Sequence, residues 1–450
     1  MRKNLWMMTA ILVMAMSIVS CSNDDENSDA YVPLERMLAG SGLFTDMKEN
    51  PDSSVMKEKE TGDLSYLSQY SMFILQPVNH DQPGGDKFKQ RVCILFRGYD
   101  RPTIMVTEGY QWNGFCDVDD IAKNLNANMV HVEHRNFGES YNQDKGKWEY
   151  ETSAQASADL HAVYQALKPI FKGKWMSAGT SKSGETSIEY AYYYPEDMDL
   201  AAAFCSPFIV SLTDKRFGKY LFNEVSTEEL RDKMKQNIRK ALENGKEGLY
   251  KQTCKLYEDK QLPLPSYAEY VFNCFDTFFQ FFQYISPSRH QENIGKIIEN
   301  EEKLVSAICN TINDNRDPET YTYFVDCVKE QGAPDPGYDY FADLLEGTGF
   351  KAEDAAASLL KEEDRWLVKY YDNSLRTKIC EDFFTNSTKP LLLYYSKDDP
   401  WTGGQPEKTG PNVKKVINPI GIHSSNINDP AYCPAEVKQE VMDFVSRYMY

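Results

Sequence analysis

Trp175-Met176-Ser177-Ala178-Gly179-Thr180-Ser181-Lys182-Ser183-Gly184 is the stretch on which the fold turns. Its first four residues read as a short strand, small residues make a turn, and a helix runs from about Ser183 to Tyr194, where Pro195 closes it. A serine at such a strand-to-helix turn has the setting of a nucleophile elbow. Small residues allow the sharp bend, the bend lifts the hydroxyl above the sheet, and the next backbone N–H, that of Lys182, faces a developing oxyanion. A bare Gly-x-Ser also arises as an ordinary small-residue turn. Here the strand before it and the helix after it give it weight, although Ser183 stands where the usual pattern has Gly.

Outward from the elbow, strands and helices alternate. Residues 66–96 read as antiparallel strands, including Ser71 to Leu75 and Arg91 to Phe96. Pro102 to Thr107 is an apolar strand, Asp117 to Asn124 a short helix, Asn128 to Glu133 a strand, Ser153 to Leu167 a helix and Leu200 to Cys205 a strand. This alternation implies an α/β fold, a parallel sheet with helices on both faces. Between about Lys215 and Lys378 the strand signal vanishes and charged, aromatic-rich helical segments such as Glu228 to Leu249 and Tyr267 to Ile285 replace it. They read as a helical cap inserted in an α/β-hydrolase sheet. The sheet resumes at Pro390 to Tyr395 and Lys414 to Ile417, and Ala435 to Met449 is a terminal helix. The expected organisation is a signal peptide over 1–20, an acidic tether over 21–40, sheet domain over 41–214, cap over 215–380 and sheet domain again over 381–450.

In a fold of this kind the acid and the base follow the nucleophile in that order. Of six His, only His423 lies beyond the last sheet strands, in a small loop before the terminal helix. Asp398 and Asp399 directly follow the strand Leu391 to Tyr395, so either carboxylate projects from a strand end; ordinary turn chemistry before Pro400 is the competing reading. With Ser181 attacking a carbonyl, His423 takes its proton, the acid fixes the imidazole tautomer, and an acyl-enzyme forms that water resolves. The second oxyanion donor is expected from a backbone N–H of Gly109 or Tyr110, in the loop after the strand Pro102 to Thr107.

With 26% charged and 13% aromatic residues the 450-residue chain is too apolar to be disordered, and a formal charge of -19 argues against a nucleic-acid partner. Arg2 and Lys3 precede an apolar run, Leu5 to Val19, too short to span a bilayer comfortably. Ile18-Val19-Ser20-Cys21 resembles the lipobox of bacterial lipoproteins, which implies that Cys21 is lipidated and tethers the protein to a membrane; an ordinary secretory signal is the alternative. The acidic run from Ser22 to Asp29 would hold the domain off that membrane and resembles surface-export signals of certain Gram-negative lipoproteins. The expected location is therefore the outer membrane, facing either the periplasm or the cell surface. The nine cysteines beyond Cys21 form no CxxC pair and no metal-ligand spacing, and Cys93 and Cys205 read as buried thiols. No metal and no organic cofactor is implied.

Several further motifs carry a family resemblance: Phe96-Arg97-Gly98-Tyr99-Asp100-Arg101-Pro102, Thr107-Glu108-Gly109-Tyr110, Val132 to Ser140, the Ser181 elbow, Tyr193-Tyr194-Pro195-Glu196-Asp197 and Asp399-Pro400-Trp401. Together they resemble the secreted prolyl tri/tetrapeptidyl aminopeptidases, α/β-hydrolase serine peptidases related to the Pro-X carboxypeptidases and dipeptidyl peptidases. The resemblance implies a triad of Ser181, Asp399 and His423. It also implies peptide substrates, a preference for Pro before the cut, and release of short peptides from a free N-terminus. Ser183 for Gly, and Ile422 where relatives carry a polar residue before the His, depart from the pattern.

An exopeptidase of this type must neutralise the substrate's ammonium, and a carboxylate at the cleft edge does so through a charge-assisted hydrogen bond. Glu108 is the first candidate, with orientation of the oxyanion loop as its competing role, and Glu133 the second. The aromatic run from Tyr270 to Tyr284 either lines a Pro-accepting pocket or packs the cap core, and packing is the expectation. An esterase or lipase shares the same triad, and a catalytically dead, peptide-binding lipoprotein is the reading from outside the enzymes.

Overall fold

The computed structural model describes residues 32–49, 68–112, 118–141, 148–285, 294, 300–423 and 425–450. The lipobox, Cys21, most of the tether and Cys116 lie outside them. Nine strands form one sheet: β1 (Phe44–Glu49), β2 (Ser68–Pro77), β3 (Lys87–Phe96), β4 (Thr103–Val106), β5 (Asn128–Val132), β6 (Trp175–Thr180), β7 (Leu200–Phe204), β10 (Leu391–Ser396) and β11 (Val413–Asn418). Two short strands, β8 (Thr213–Asp214) and β9 (Ala333–Pro334), pair with each other outside it. The order across the sheet is β1-β2-β3-β5-β4-β6-β7-β10-β11. Strands β1, β2, β3 and β5 pair antiparallel, and every pair from β5 to β11 is parallel. The swap of β4 and β5 carries the chain across the sheet, and the loops leaving β4, β6, β10 and β11 gather at the carboxyl edge, where open α/β sheets bind ligands.

Helices cover both faces because the parallel strands are apolar on both. In β10, Leu391 and Leu393 enter one buried cluster with Leu160, Val163 and Ile188 from the helices Ser153–Leu167 and Lys182–Tyr193. Leu392 and Tyr394 enter the other, with Ile121 and Val441 from the helices Asp119–Leu125 and Ala435–Met449. That alternation is the period of two of a pleated strand. The insertion between β7 and β10 builds a third core of its own around the helices Glu228–Leu242, Tyr267–Tyr284 and Glu301–Asn315. Trp401, just after β10, belongs to this cap core and ties it to the sheet domain.

Two expectations change. Part of the stretch assigned to a polar tether, residues 34–40, is helix (Leu34–Ser41) that buries Leu34 and Leu38 in the sheet core. The segment Glu228 to Leu249 is two helices, Glu228–Leu242 and Leu249–Asp259, because Asn244 and Gly245 take left-handed φ values of 61° and 53°. No helix among the described residues is long and apolar enough to cross a membrane.

Candidate active site

Ser181 sits between β6 and its helix with φ 59° and ψ -132°, a conformation that costs an L-residue about 1–3 kcal/mol and persists only where neighbours enforce it. They do so here: the Ser181 N–H donates to Phe204 O (2.9 Å), and its carbonyl accepts from the N–H groups of Gly184 (3.0 Å) and Glu185 (3.1 Å). The bend also needs bare glycines. A Cβ on Gly179 would lie 1.9 Å from Ser183 Oγ, and one on Gly184 would lie 2.0 Å from Ser206 Oγ. Ser183 is therefore accommodated because Gly179 leaves room for its hydroxyl.

Below the elbow, the helix Lys182–Tyr193 is held by buried charge. Arg376 donates to Glu185 (2.6 Å) and pairs with Glu189 at 2.8 Å, and burial pushes the Glu185 carboxyl up to about 7 even against that guanidinium. Lys182 pairs with Asp326 of the cap at 3.1 Å and lies 3.3 Å from His134 Nε2.

Asp399 Oδ2 is 2.8 Å from His423 Nδ1, and its Oδ1 accepts from the Trp401 N–H (3.0 Å); Asp399 is fully buried. Its neighbour Asp398 turns away to accept from the Ser226 N–H at the root of the cap (2.9 Å). The two acids open in the sequence are thus separated by which way each faces. The His423 loop is tied to the cap as well, since the His423 backbone N–H donates to Gln283 O (3.3 Å) and Trp401 Nε1 donates to Gln283 Oε1 (3.0 Å). Cys205, directly after the Phe204 that holds the Ser181 N–H, places its sulfur within 4.8 Å of ligand atoms of both Asp399 and His423. This is the one thiol, carboxylate and imidazole group of metal-ligand type among the described residues, and the Asp399–His423 contact already engages two of its members.

Gly109 packs against the elbow so closely that a Cβ there would lie 2.5 Å from Ser183 N and 2.6 Å from Lys182 C. That puts the backbone of Gly109 and Tyr110 beside that of Lys182, as two converging donors require. The Tyr110 side chain, which sequence reading left aside, shares a hydrogen bond with Ser181; burial pushes its phenol far above the ordinary range, so it stays a neutral hydroxyl. Its ring rests against Phe137 and Tyr323.

Between Ser181 and the cap lies a partly open cavity of about 440 Å³. Phe272 and Tyr284 of the aromatic run reach it, whereas most of that run, including Phe275, Phe278 and Phe282, is buried in the cap core, as expected. Neither glutamate chosen for the ammonium lines it. Glu108 Oε1 is 2.8 Å from His131 Nδ1 in the sheet. Glu133 accepts from the Trp112 N–H (3.1 Å) and from the Ser140 N–H (2.8 Å) and hydroxyl (2.7 Å). Both carboxylates are engaged on the sheet side because buried donors claim them. The carboxylates that do line the cavity are Asp276 and Asp314 of the cap, at positions the sequence pattern marks only as helical.

The sheet order defines the class, an α/β-hydrolase. The model of the PS-10 peptidase S37 family matches residues 46–260. The prolyl tri/tetrapeptidyl aminopeptidase of Streptomyces mobaraensis is 25% identical over 406 residues, which cover 84% of this chain and 79% of that one. The family match and this relative support a serine peptidase of the S37 type. Among solved structures, the proline iminopeptidase of Mycobacterium smegmatis is similar over 84% of this chain and 98% of its own, at 14% identity and TM-score 0.42. A thermophilic esterase from Thermogutta terrifontis is similar over 84% and 99%, at 12% identity and TM-score 0.37. The fold assignment rests on the strand order and not on these two likenesses.

Proposed function

We propose that the protein is a serine exopeptidase that releases short peptides of three or four residues from free N-termini, with Pro before the scissile bond. The observation that carries this reading is the Asp399–His423 pair, 2.8 Å apart, together with a cavity under the cap that Ser181 and Trp401 line. His423, its tautomer set by the carboxylate on Nδ1, takes the Ser181 proton through Nε2 as Oγ attacks the carbonyl. The Lys182 N–H and that of Gly109 or Tyr110 meet the oxyanion. His423 then protonates the leaving amine, and water, activated by the same imidazole, hydrolyses the acyl-enzyme. The Pro preference rests on likeness to the Streptomyces mobaraensis enzyme.

The test is a panel of 4-nitroanilide peptides with and without Pro before the anilide, together with acyl esters. Turnover of Pro-terminated tripeptides, lost in Ser181→Ala along with fluorophosphonate labelling, is the expected result. Turnover of esters alone would move the protein to the esterases.

The same reading includes export as a lipoprotein anchored through Cys21 in the outer membrane, and what supports it is the lipobox-like Ile18-Val19-Ser20-Cys21. Mass spectrometry of the mature N-terminus should find Cys21 first and diacylated. A soluble product cleaved elsewhere would remove the anchor.

A further inference from the structure

The cavity over Ser181 carries negative charge on one wall. Asp276, only 8% exposed, comes from the helix Tyr267–Tyr284, and Asp314, at the exposed end of the helix Glu301–Asn315, acts on it electrostatically. No Lys, Arg or His is among the described residues that line the cavity. The hydrogen bonds that Asp276 receives come from neutral amides: Asn315 Nδ2 donates to its Oδ2 (2.9 Å) and Gln280 Nε2 to its Oδ1 (3.3 Å). Asn315 is steered in turn by donating to Asn273 Oδ1 (2.9 Å). These amides orient the carboxylate without neutralising it, and each of its oxygens keeps acceptor capacity. Burial raises the acid to about 6, the mark of a buried carboxylate with no counter-charge. Other buried carboxylates meet cations, as Asp159 meets Arg135 at 2.7 Å and Glu185 meets Arg376, or accept backbone N–H groups, as Glu133 and Asp335 do, whereas the contacts of Asp276 are side-chain amides at the wall of a cavity. Asp276 is left for a cation that arrives from outside.

The helix also fixes where that cation must sit. Its last turn is pinned to the catalytic end, because Gln283 O accepts from the His423 N–H and the Gln283 side chain accepts from Trp401. Asp276 stands seven positions earlier on the same helix, and Gln280 three. At about 1.5 Å per residue, Asp276 is roughly 10 Å along the axis from the His423 contact. An extended peptide covers about 3.3 Å per residue, so roughly 10 Å holds three residues.

We propose that Asp276, backed by Asp314, binds the N-terminal ammonium of the substrate, and that its place on the helix sets the released peptide at three residues. This inference rests on the exopeptidase reading and adds to it the residue that reads the free N-terminus and the length it measures. A dipeptide acyl group would bring its ammonium only as far as Gln280, whose amide offers no charge.

The test compares free Ala-Ala-Pro, N-acetyl-Ala-Ala-Pro, free Ala-Pro and free Ala-Ala-Ala-Pro 4-nitroanilides on the full-length protein. The wild type should prefer the free tripeptide. Asp276→Asn should lower kcat/KM for it about 100-fold, mostly through KM, and leave the slow acetylated substrate within about twofold. Adding Gln280→Asp to Asp276→Asn moves a carboxylate one turn nearer the His423 contact and should raise free Ala-Pro turnover above that of the single variant. The proposal fails if Asp276→Asn keeps the wild-type ratio of free to acetylated rates. It fails equally if both rates fall together in a variant with an unchanged circular dichroism spectrum, because that is a structural role. A double variant that gains nothing on Ala-Pro overturns the length reading alone. If the wild type cleaves none of the four anilides, it is the exopeptidase reading itself that has failed.

Discussion

Asp276 also makes a stability prediction that is independent of turnover. Its folded pKa, about 6, lies above the unbound value of 3.8, so the unfolded chain releases its proton first as pH rises. A carboxyl raised in this way contributes stability that is fully present below its unfolded value and is lost as pH rises through 6. At neutral pH the ionised group therefore costs the fold about 2–3 kcal/mol at most, from about 1.4 kcal/mol per pKa unit. Asn at this position removes the charge but gives up one of the two amide hydrogen bonds, so Asp276→Asn should stabilise the protein by about 1–2 kcal/mol at pH 7.5. The gain should shrink towards zero near pH 4. Urea unfolding midpoints at the two pH values measure it, and a variant no more stable than wild type at pH 7.5 would mean that the charge is compensated in the free protein. More stable and less active together is the expected signature of a binding group held at the expense of the fold. Glu108 illustrates the opposite case. Its motif marks it as important, but a sequence does not reveal that His131, 23 residues away, claims its carboxylate in the sheet.

At the scale of elements, the elbow helix Lys182–Tyr193 is the piece on which the geometry depends, and Arg376 is its main fixture. Arg376 arrives where the chain leaves the cap and faces two glutamates one turn apart on that helix. Arg376→Met would strand both in a dry interior, a loss of about 3–5 kcal/mol. Without the guanidinium the Glu185 pKa rises beyond 7, and a raised carboxyl loses stability as pH climbs through it, so the deficit should be larger at pH 8.5 than at pH 5.5. Urea midpoints of the variant and the wild type at both values test this; a deficit independent of pH would point to lost packing against Phe208 instead. Elements were legible in the sequence where local signals act alone: the helices Ser153–Leu167 and Ala435–Met449 have the bounds the pattern gives. The strand β1 and the helix Leu34–Ser41 were not legible. Each is short, and each is stabilised by partners far along the chain, such as β2 and the sheet core, rather than by its own periodicity.

Across the whole molecule, the proposed function puts chemistry and selection on different parts of the chain. The residues proposed for the chemistry, Ser181, Asp399, His423 and the Gly109–Tyr110 loop, all follow strands at the carboxyl edge of the sheet, and in the sequence chain order singled out His423 and narrowed the acid to Asp398 or Asp399. The cavity wall belongs to the cap, where an aspartate that faces a cavity and one that faces solvent look alike in a helical pattern. This separation has a measurable consequence. A small fluorophosphonate needs only the sheet-borne machinery, whereas a peptide needs the cap wall too. Asp276→Asn should therefore label with a fluorophosphonate at the wild-type rate, within about twofold, while losing peptide turnover. Asp399→Asn should lose both, by about 10³–10⁴-fold, because the imidazole is left in the wrong tautomer. Trp401 joins the two parts: its ring stands edge-on to Phe279 of the cap at 4.9 Å between ring centres and its Nε1–H donates to Gln283, contacts that Ala would remove, whereas the backbone N–H that donates to Asp399 would stay. Trp401→Ala should accordingly slow labelling and turnover in parallel, by about tenfold or more. If it slowed peptide turnover alone, the cap would be shown to select substrates without helping to set the triad.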